Sequence, residues 1–333
     1  MARVMLDRVD MTRQSKSYVD SVHAVLTAAG LFEGPKYMLA GLTGMAFKFT
    51  VHRKLLPLSV SAYGQWGNEH APAIENLGLL TVWDGGRTRH PTFPHYQRDA
   101  VDWVRQSLDA GVGAVYWLPE FGTICGYDDE DGVFYVQDGR QPEPLIVLYD
   151  NFGLNATPFW YCQIFGGRVA LDPAEAVLES LRLAVRDWET PHKTLPDTEL
   201  ASGRLAFAYF IAGLQAGGYD ERGADYILRD YVQVREEIAD YLRDVRHLLP
   251  GLGEAAALYG ELRGRLDAFR DCRTASPEGG GRIAPDRIPA LCALLREAEA
   301  LEERAVAVFR RISARCPDPK RATLPRWGEL TPR

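Results

Sequence analysis

The sequence predicts an α+β first half, residues 1–168, followed by an all-α second half, residues 169–333. Three observations carry that division. Between residues 114 and 165, five short β-rich runs follow one another at close spacing with turn residues between them. Beyond Gly167 the apolar residues recur at spacings of three and four, the period of a helix that buries one face. At the junction, Asp172-Pro173-Ala174-Glu175 combines a capping Asp, a Pro in the first turn and a Glu at the capping-box position, which is how a helix begins.

Taken in order, Val19, Val22, Leu26 and Ala29 lie at helical spacing, and Gly30 stops that helix. Residues 39–49, punctuated by Gly41 and Gly44, suit a buried turn that leads into extended chain. A polar aromatic loop at 63–66 precedes a short helix at 74–77 and a strand at 79–83. Val101, Val104 and Leu108 share one face of a helix that ends at Gly111. The β-rich runs are 114–117, 123–127, 133–137, 145–148 and 159–165, with a hairpin turn at 128–132. Short strands at this spacing form one antiparallel, curved sheet. In the second half, Ile227, Tyr231, Val234, Ile238, Tyr241 and Val245 make one long apolar stripe. Leu291, Leu294, Ala298, Leu301, Ala305, Val308 and Ile312 make another, the pattern of helices in a bundle. Residues 200–214 and 255–269 supply further helices, and 276–281 reads as a loop.

A balance of 46% hydrophobic and 25% charged residues over 333 positions is that of a folded chain with room for two ordinary domains. The net charge of −7 weighs against a nucleic-acid or anionic-membrane surface, which needs a basic patch. No apolar stretch approaches the roughly 20 residues that span a bilayer. The early charges of Met1-Ala2-Arg3-Val4-Met5-Leu6-Asp7-Arg8 do not make a signal peptide. Cys125, Cys162, Cys272, Cys292 and Cys316 are scattered with no CxxC pair, so neither a disulfide framework nor a zinc knuckle is indicated. A reducing compartment suits them. A soluble cytoplasmic protein is expected, with no nucleic-acid or membrane partner, no metal and no other cofactor. Nucleotide-binding and GxSxG motifs are missing from the sequence.

Two stretches carry a family resemblance. The opening helix reads Asp20-Ser21-Val22-His23-Ala24-Val25-Leu26 ahead of Gly30, with Gln14 upstream. A later hairpin reads Glu120-Phe121-Gly122-Thr123-Ile124-Cys125-Gly126-Tyr127-Asp128, then Phe134-Tyr135-Val136-Gln137-Asp138-Gly139. Over residues 10–165 these resemble the papain-like superfamily, especially its bacteriocin-leader-peptidase-like and butirosin-biosynthesis-H-like branches. In those relatives the helix opens on Asp-Cys after a Gln. The strand reads His-x-x-x-Ile-x-Gly-Tyr-Asp, and the next strand ends in Asp. The segment Gly41-Leu42-Thr43-Gly44-Met45-Ala46-Phe47 is similar to the Gly-rich stretch of the butirosin-type branch. The resemblance implies a papain-like α+β domain, an N-terminal helix packed on a curved antiparallel sheet, followed by a helical bundle.

It also implies a thiol activated at a helix N-terminus, a His that takes its proton, a carboxylate that fixes the imidazole, and an amide on the oxyanion. Here Ser21 stands in the place of the Cys and Glu120 in that of the His, while Asp138 keeps the carboxylate and Gln14 matches the amide. A hydroxyl is far harder to deprotonate than a thiol, and a carboxyl of pKa about 4.3 is a weak base for it. A conventional cysteine peptidase is therefore not expected.

The residues themselves leave plainer readings open. Ser21 is a helix-packing residue or a nucleophile. Glu120 is a desolvated acid or base, or the partner of an arginine. Asp138 orients Glu120 or a ligand, or forms an Asp-Gly turn. Asp20, His23, Trp66, Trp117 and Tyr127, with Gln14, are the candidate substrate-binding residues. Cys125 reads as an inert buried thiol, and His90 and His95 as parts of a proline-rich loop. Two functions follow. One is acyl transfer or amide processing in bacterial metabolism, on a small-molecule or carrier-bound acyl substrate, through Ser21, Glu120 and Asp138. The other is a catalytically inactive relative that binds or assembles, forming a homo-oligomer through its helices.

Overall fold

Runs rich in Val, Ile, Tyr, Phe and Trp pair edge to edge in the first half because a helix covers each face of the sheet that they form. The computed structural model describes residues 3–193, 198–275 and 280–317. In chain order the elements are β1 (Arg3–Met5), α1 (Ser17–Ala28), α2 (Lys36–Leu42), β2 (Thr50–His52), α3 (Trp66–Glu75), β3 (Leu79–Arg87) and α4 (Phe93–Asp109). Then come β4 (Ala114–Leu118), β5 (Glu120–Asp128), β6 (Val133–Gln137), β7 (Leu145–Leu148), β8 (Phe159–Arg168) and α5 (Pro173–Glu189). The remainder is β9 (Leu200–Ser202), α6 (Arg204–Ala216), α7 (Glu221–Val245), α8 (Leu252–Arg263), α9 (Leu266–Arg270), β10 (Arg273–Ala275), β11 (Gly281–Ile283) and α10 (Ile288–Arg315). The protein is α+β. It divides into two compact units, Met1–Leu39 with His70–Ala170, and Ala40–Glu69 with the residues from Leu171 onward.

In the first unit the sheet order is β3-β8-β4-β5-β6-β7, every pair antiparallel, with β1 added against the second half of β5. Ala114 and Tyr116 of β4 pack with Val101, Val104 and Leu108 of α4. Trp117 and its cross-strand partner Phe121 lie instead on the side of Tyr18 from α1. A sheet covered on both faces buries successive residues, which is why these strands read as apolar runs without alternation. The β5–β6 register slips at Cys125, a bulge that bends the strand. Gly126 follows it, and a side chain there would place Cβ 2.6 Å from the Val4 carbonyl oxygen of β1. Only glycine lets β1 approach that closely.

In the second unit α10 packs on α5, α6 and α8, and α8 also packs on α7. The Ala40–Glu69 segment joins it through aromatic contacts. Phe47 meets Tyr259 and Phe309, and Phe49 meets Phe207 and Tyr231. A Cβ on Gly41 would sit 2.2 Å from the Tyr241 ring, so that position needs glycine for close approach. Arg235 and Glu302 form a buried bidentate pair between α7 and α10, at 2.8 and 2.9 Å.

Some local expectations change. Residues 39–42 are helical rather than a turn, and α3 opens at Trp66, eight residues before the expected short helix, with Pro72 inside it. Residues 200–202 form a strand paired with β2 before α6 starts, because Thr50 and Ser202 face each other across a two-stranded ladder. The helix expected over 255–269 is interrupted at Gly264 and Arg265. Asp172 caps α5 as its sequence predicts, accepting from the Ala174 N–H at 2.9 Å. Residues 276–279 of the expected loop lie outside the described residues. No helix among the described residues is long and apolar enough to cross a membrane.

Candidate functional site

The first turn of α1 carries no side-chain cap from its N-cap residue, Lys16. Backbone N–H groups at such an end carry partial positive charge and attract a carboxylate. A carboxylate from β5 reaches the Ser17 hydroxyl at this end of the helix. Ser17 Oγ donates to Glu120 Oε2 at 2.5 Å and accepts from the Phe121 N–H at 3.2 Å. Glu120 reaches this place through a sharp reversal. Leu118 and Glu120 are cross-strand partners with Pro119 alone between them, and Glu120 has φ +99°. That backbone conformation costs a non-glycine residue about 1–3 kcal/mol and persists only where the surroundings impose it.

Arg13 closes the edge of the pair. Its Nε donates to the Asp138 carbonyl at 2.6 Å, its Nη2 donates to the Phe121 carbonyl at 3.3 Å, and its Nη1 lies 3.7 Å from Glu120 Oε2. Ser17 is 3% exposed, while the side chains of Glu120 and Arg13 are 14% and 19% exposed. The carboxylate and guanidinium therefore form the open side of the site. Beneath it, Phe121 packs edge-on to Tyr18, Trp117 and His70.

The residues expected from sequence are not all gathered here. Glu120 is at the site. Asp138 contributes its backbone carbonyl through Arg13, whereas its carboxylate accepts from the Arg140 N–H in an Asp-Gly turn. Ser21 is fully buried one helical turn further on, with Oγ 3.6 Å from Met11 Sδ. Asp20 accepts from the Gln14 and Ser15 N–H groups and from Lys36, so it ties the chain before α1 to the helix. The side chain of Gln14 is exposed, and His23 bonds the Gly34 carbonyl. Trp117 supports Phe121 from below while its Nε1 donates to Thr157. Tyr127 lies under α4, donating to Asp109. Trp66 belongs to the second unit, where it donates to the Ser61 carbonyl. Burial pushes the Cys125 thiol up to about 11, which makes it unreactive near neutrality.

Ser17 and Arg13 were missed in the sequence. Ser17 stands four residues before Ser21 and so shares its helix face. Nothing in the periodicity distinguishes the two.

The second unit holds a different cluster of buried charge. Lys48 pairs with both Glu69 and Asp187, and Lys193 pairs with the same two carboxylates. Burial pushes the Glu69 carboxyl up, but Lys48 and Lys193 pull it further the other way, to about 2. Two lysines face two carboxylates there, with burial and then Lys48 holding the Lys193 ammonium well below the ordinary lysine range.

No family model matches the chain, and no curated protein matches it significantly.

Proposed function

We propose that this protein is an acyl-transfer or amide-processing protein of papain-like kind in bacterial metabolism, with Ser17 rather than Ser21 as its hydroxyl. Its substrate is a small-molecule or carrier-bound acyl group. The single observation that carries this reading is the direct bond from Ser17 Oγ to the Glu120 carboxylate at the start of α1. The papain-like comparison is supported by α1 lying against β4 and β5 of an antiparallel sheet. The appended bundle is supported by the packing of α10 on α5, α6 and α8.

In this reading Ser17 Oγ attacks the acyl carbonyl carbon as its proton passes to Glu120, and the collapsing intermediate returns that proton to the departing thiol, alcohol or amine. An acceptor amine, alcohol or water then takes the acyl group from Ser17. The Phe121 N–H donates to Ser17 Oγ and so helps fix the orientation of the attacking oxygen. Arg13 holds the carboxylate on the hydroxyl side.

A second reading rests on an equally specific observation. Ser17 Oγ is already both donor and acceptor and is buried, so the pair also works as a tertiary cap that joins α1 to β5 in a protein that only binds. Treatment with p-nitrophenyl acetate, followed by intact mass and peptide mapping, separates the two. Acyl transfer predicts one acetyl group on Ser17, lost in Ser17→Ala, slowed by about 10²-fold or more in Glu120→Gln, and kept in Ser21→Ala. An unmodified wild-type protein, or an adduct that survives Ser17→Ala, leaves the binding reading in place.

A further inference from the structure

Each member of the Ser17–Glu120 pair has its chain neighbour, Tyr18 or Phe121, inside one buried aromatic box. Tyr18, 1% exposed, stacks on the fully buried His70 with ring centroids 3.4 Å apart and planes 9° from parallel. Phe121 meets both rings edge-on at 5.4 Å. Neither ring is anchored by packing alone. The Tyr18 hydroxyl donates to Gln163 Oε1 at 2.8 Å, and burial pushes its phenol well above the ordinary range, so it remains a donor. The orientation of the Gln163 amide follows, with Nε2 donating to Thr81 Oγ1 at 2.9 Å and Thr81 donating to the Ile164 carbonyl at 2.8 Å. His70 Nδ1 bonds the Tyr161 hydroxyl at 3.0 Å. A hydrogen-bonded chain from β3 and β8 thus sets where Tyr18 sits, and His70 sets the plane of its ring. Satisfied polar networks of this kind impose one arrangement on a core.

We propose that Tyr18 and His70 are positioning residues, whose stack, anchored to Gln163 at one ring and Tyr161 at the other, holds Ser17 and Glu120 at bonding distance. This rests on the acyl-transfer reading for its consequence in rate, although the geometry stands by itself. A pair displaced by about 1 Å loses about 10²-fold in reaction rate.

Three proteins decide it: the wild type, His70→Phe, which keeps a ring in the stack but removes the Tyr161 bond, and Tyr18→Phe, which keeps the stack but removes the Gln163 bond. Two readouts are taken on each. One is acetylation of Ser17 across a range of p-nitrophenyl acetate concentrations. The other is hydrogen–deuterium exchange of the backbone amides at 13–22 and 118–123, with the melting temperature as a control for global unfolding. The expected result is a fall of about 10²-fold in the maximal rate with unchanged half-saturation in His70→Phe, and a smaller fall in Tyr18→Phe. Exchange at both segments is faster than the change in melting temperature accounts for. Full acetylation rates in both variants overturn the proposal, as does unchanged exchange at the two segments. A wild type that is never acetylated, together with variants that exchange faster, overturns the acyl-transfer reading and leaves the positioning role standing.

Discussion

The Ser17–Glu120 pair in the first unit and the Lys48–Glu69–Asp187–Lys193 cluster in the second are both small groups of buried polar side chains, yet they are built on opposite principles. In the second, every cation faces an anion and both carboxylates are shared, so the charges satisfy one another. In the first, a neutral hydroxyl donates to a carboxylate whose backbone is held at φ +99°, with a guanidinium set to one side. Balanced clusters close a fold, joining Ala40–Glu69 to the chain that follows α5. A hydroxyl held on a carboxylate under imposed backbone strain, with one arginine at its edge, is the arrangement that suits chemistry.

The largest effect should come from breaking the balance. Lys48→Met leaves two buried carboxylates with one lysine and should cost about 3–5 kcal/mol, read as a lower urea midpoint with an unchanged slope. Adding Glu69→Gln to that variant should recover part of the loss, because the remaining charges then pair one to one. A loss under 1 kcal/mol would show that the cluster behaves like an exposed ion pair and would erase the contrast with the first unit.

Acid sharpens the same contrast. The Glu69 carboxyl has its native pKa lowered to about 2, below its unfolded value. Its contribution to stability is therefore fully present above about pH 4.3 and is lost as the pH falls toward 2. Urea unfolding measured stepwise across that window should show a decline that Glu69→Gln flattens. Equal slopes for the two proteins would place the acid sensitivity elsewhere.

The smallest effect tests the strain at the other site. Glu120→Gly and Glu120→Ala remove the same carboxylate, but glycine accepts φ +99° at no steric cost. The glycine variant should be the more stable of the two by about 1 kcal/mol, measured by thermal or urea unfolding. If alanine equals or exceeds it, Glu120 is not strained and the reversal at Pro119 asks nothing of its backbone.

Much of the first unit was legible because its strands appear as apolar runs bounded by turn residues, and the largely buried β4 and β6 and the half-exposed edge strand β7 all fall within one residue of where composition places them. The stripes of α7 and α10 were equally plain, since a 3.6-residue period survives over a long helix. Segment 66–75 was not, because its helix carries Pro72 and little apolar periodicity. Residues 200–202 were hidden because their pairing partner, β2, lies about 150 positions away in the chain.

By itself the sequence determined β3 to β8 in outline, the long helices, the capping of α5 and the presence of a carboxylate at the start of β5. Those depend on local chemistry and short periods. Tertiary structure alone decided which serine that carboxylate meets. Ser17 and Ser21 lie one turn apart, about 6 Å along the same helix face, and periodicity treats them alike. The choice depends on where the reversal at Pro119 delivers Glu120 against α1, a distance between residues about a hundred positions apart. The same holds for the stack of Tyr18 on His70 and for the sharing of two carboxylates by Lys48 and Lys193, contacts that no local pattern encodes.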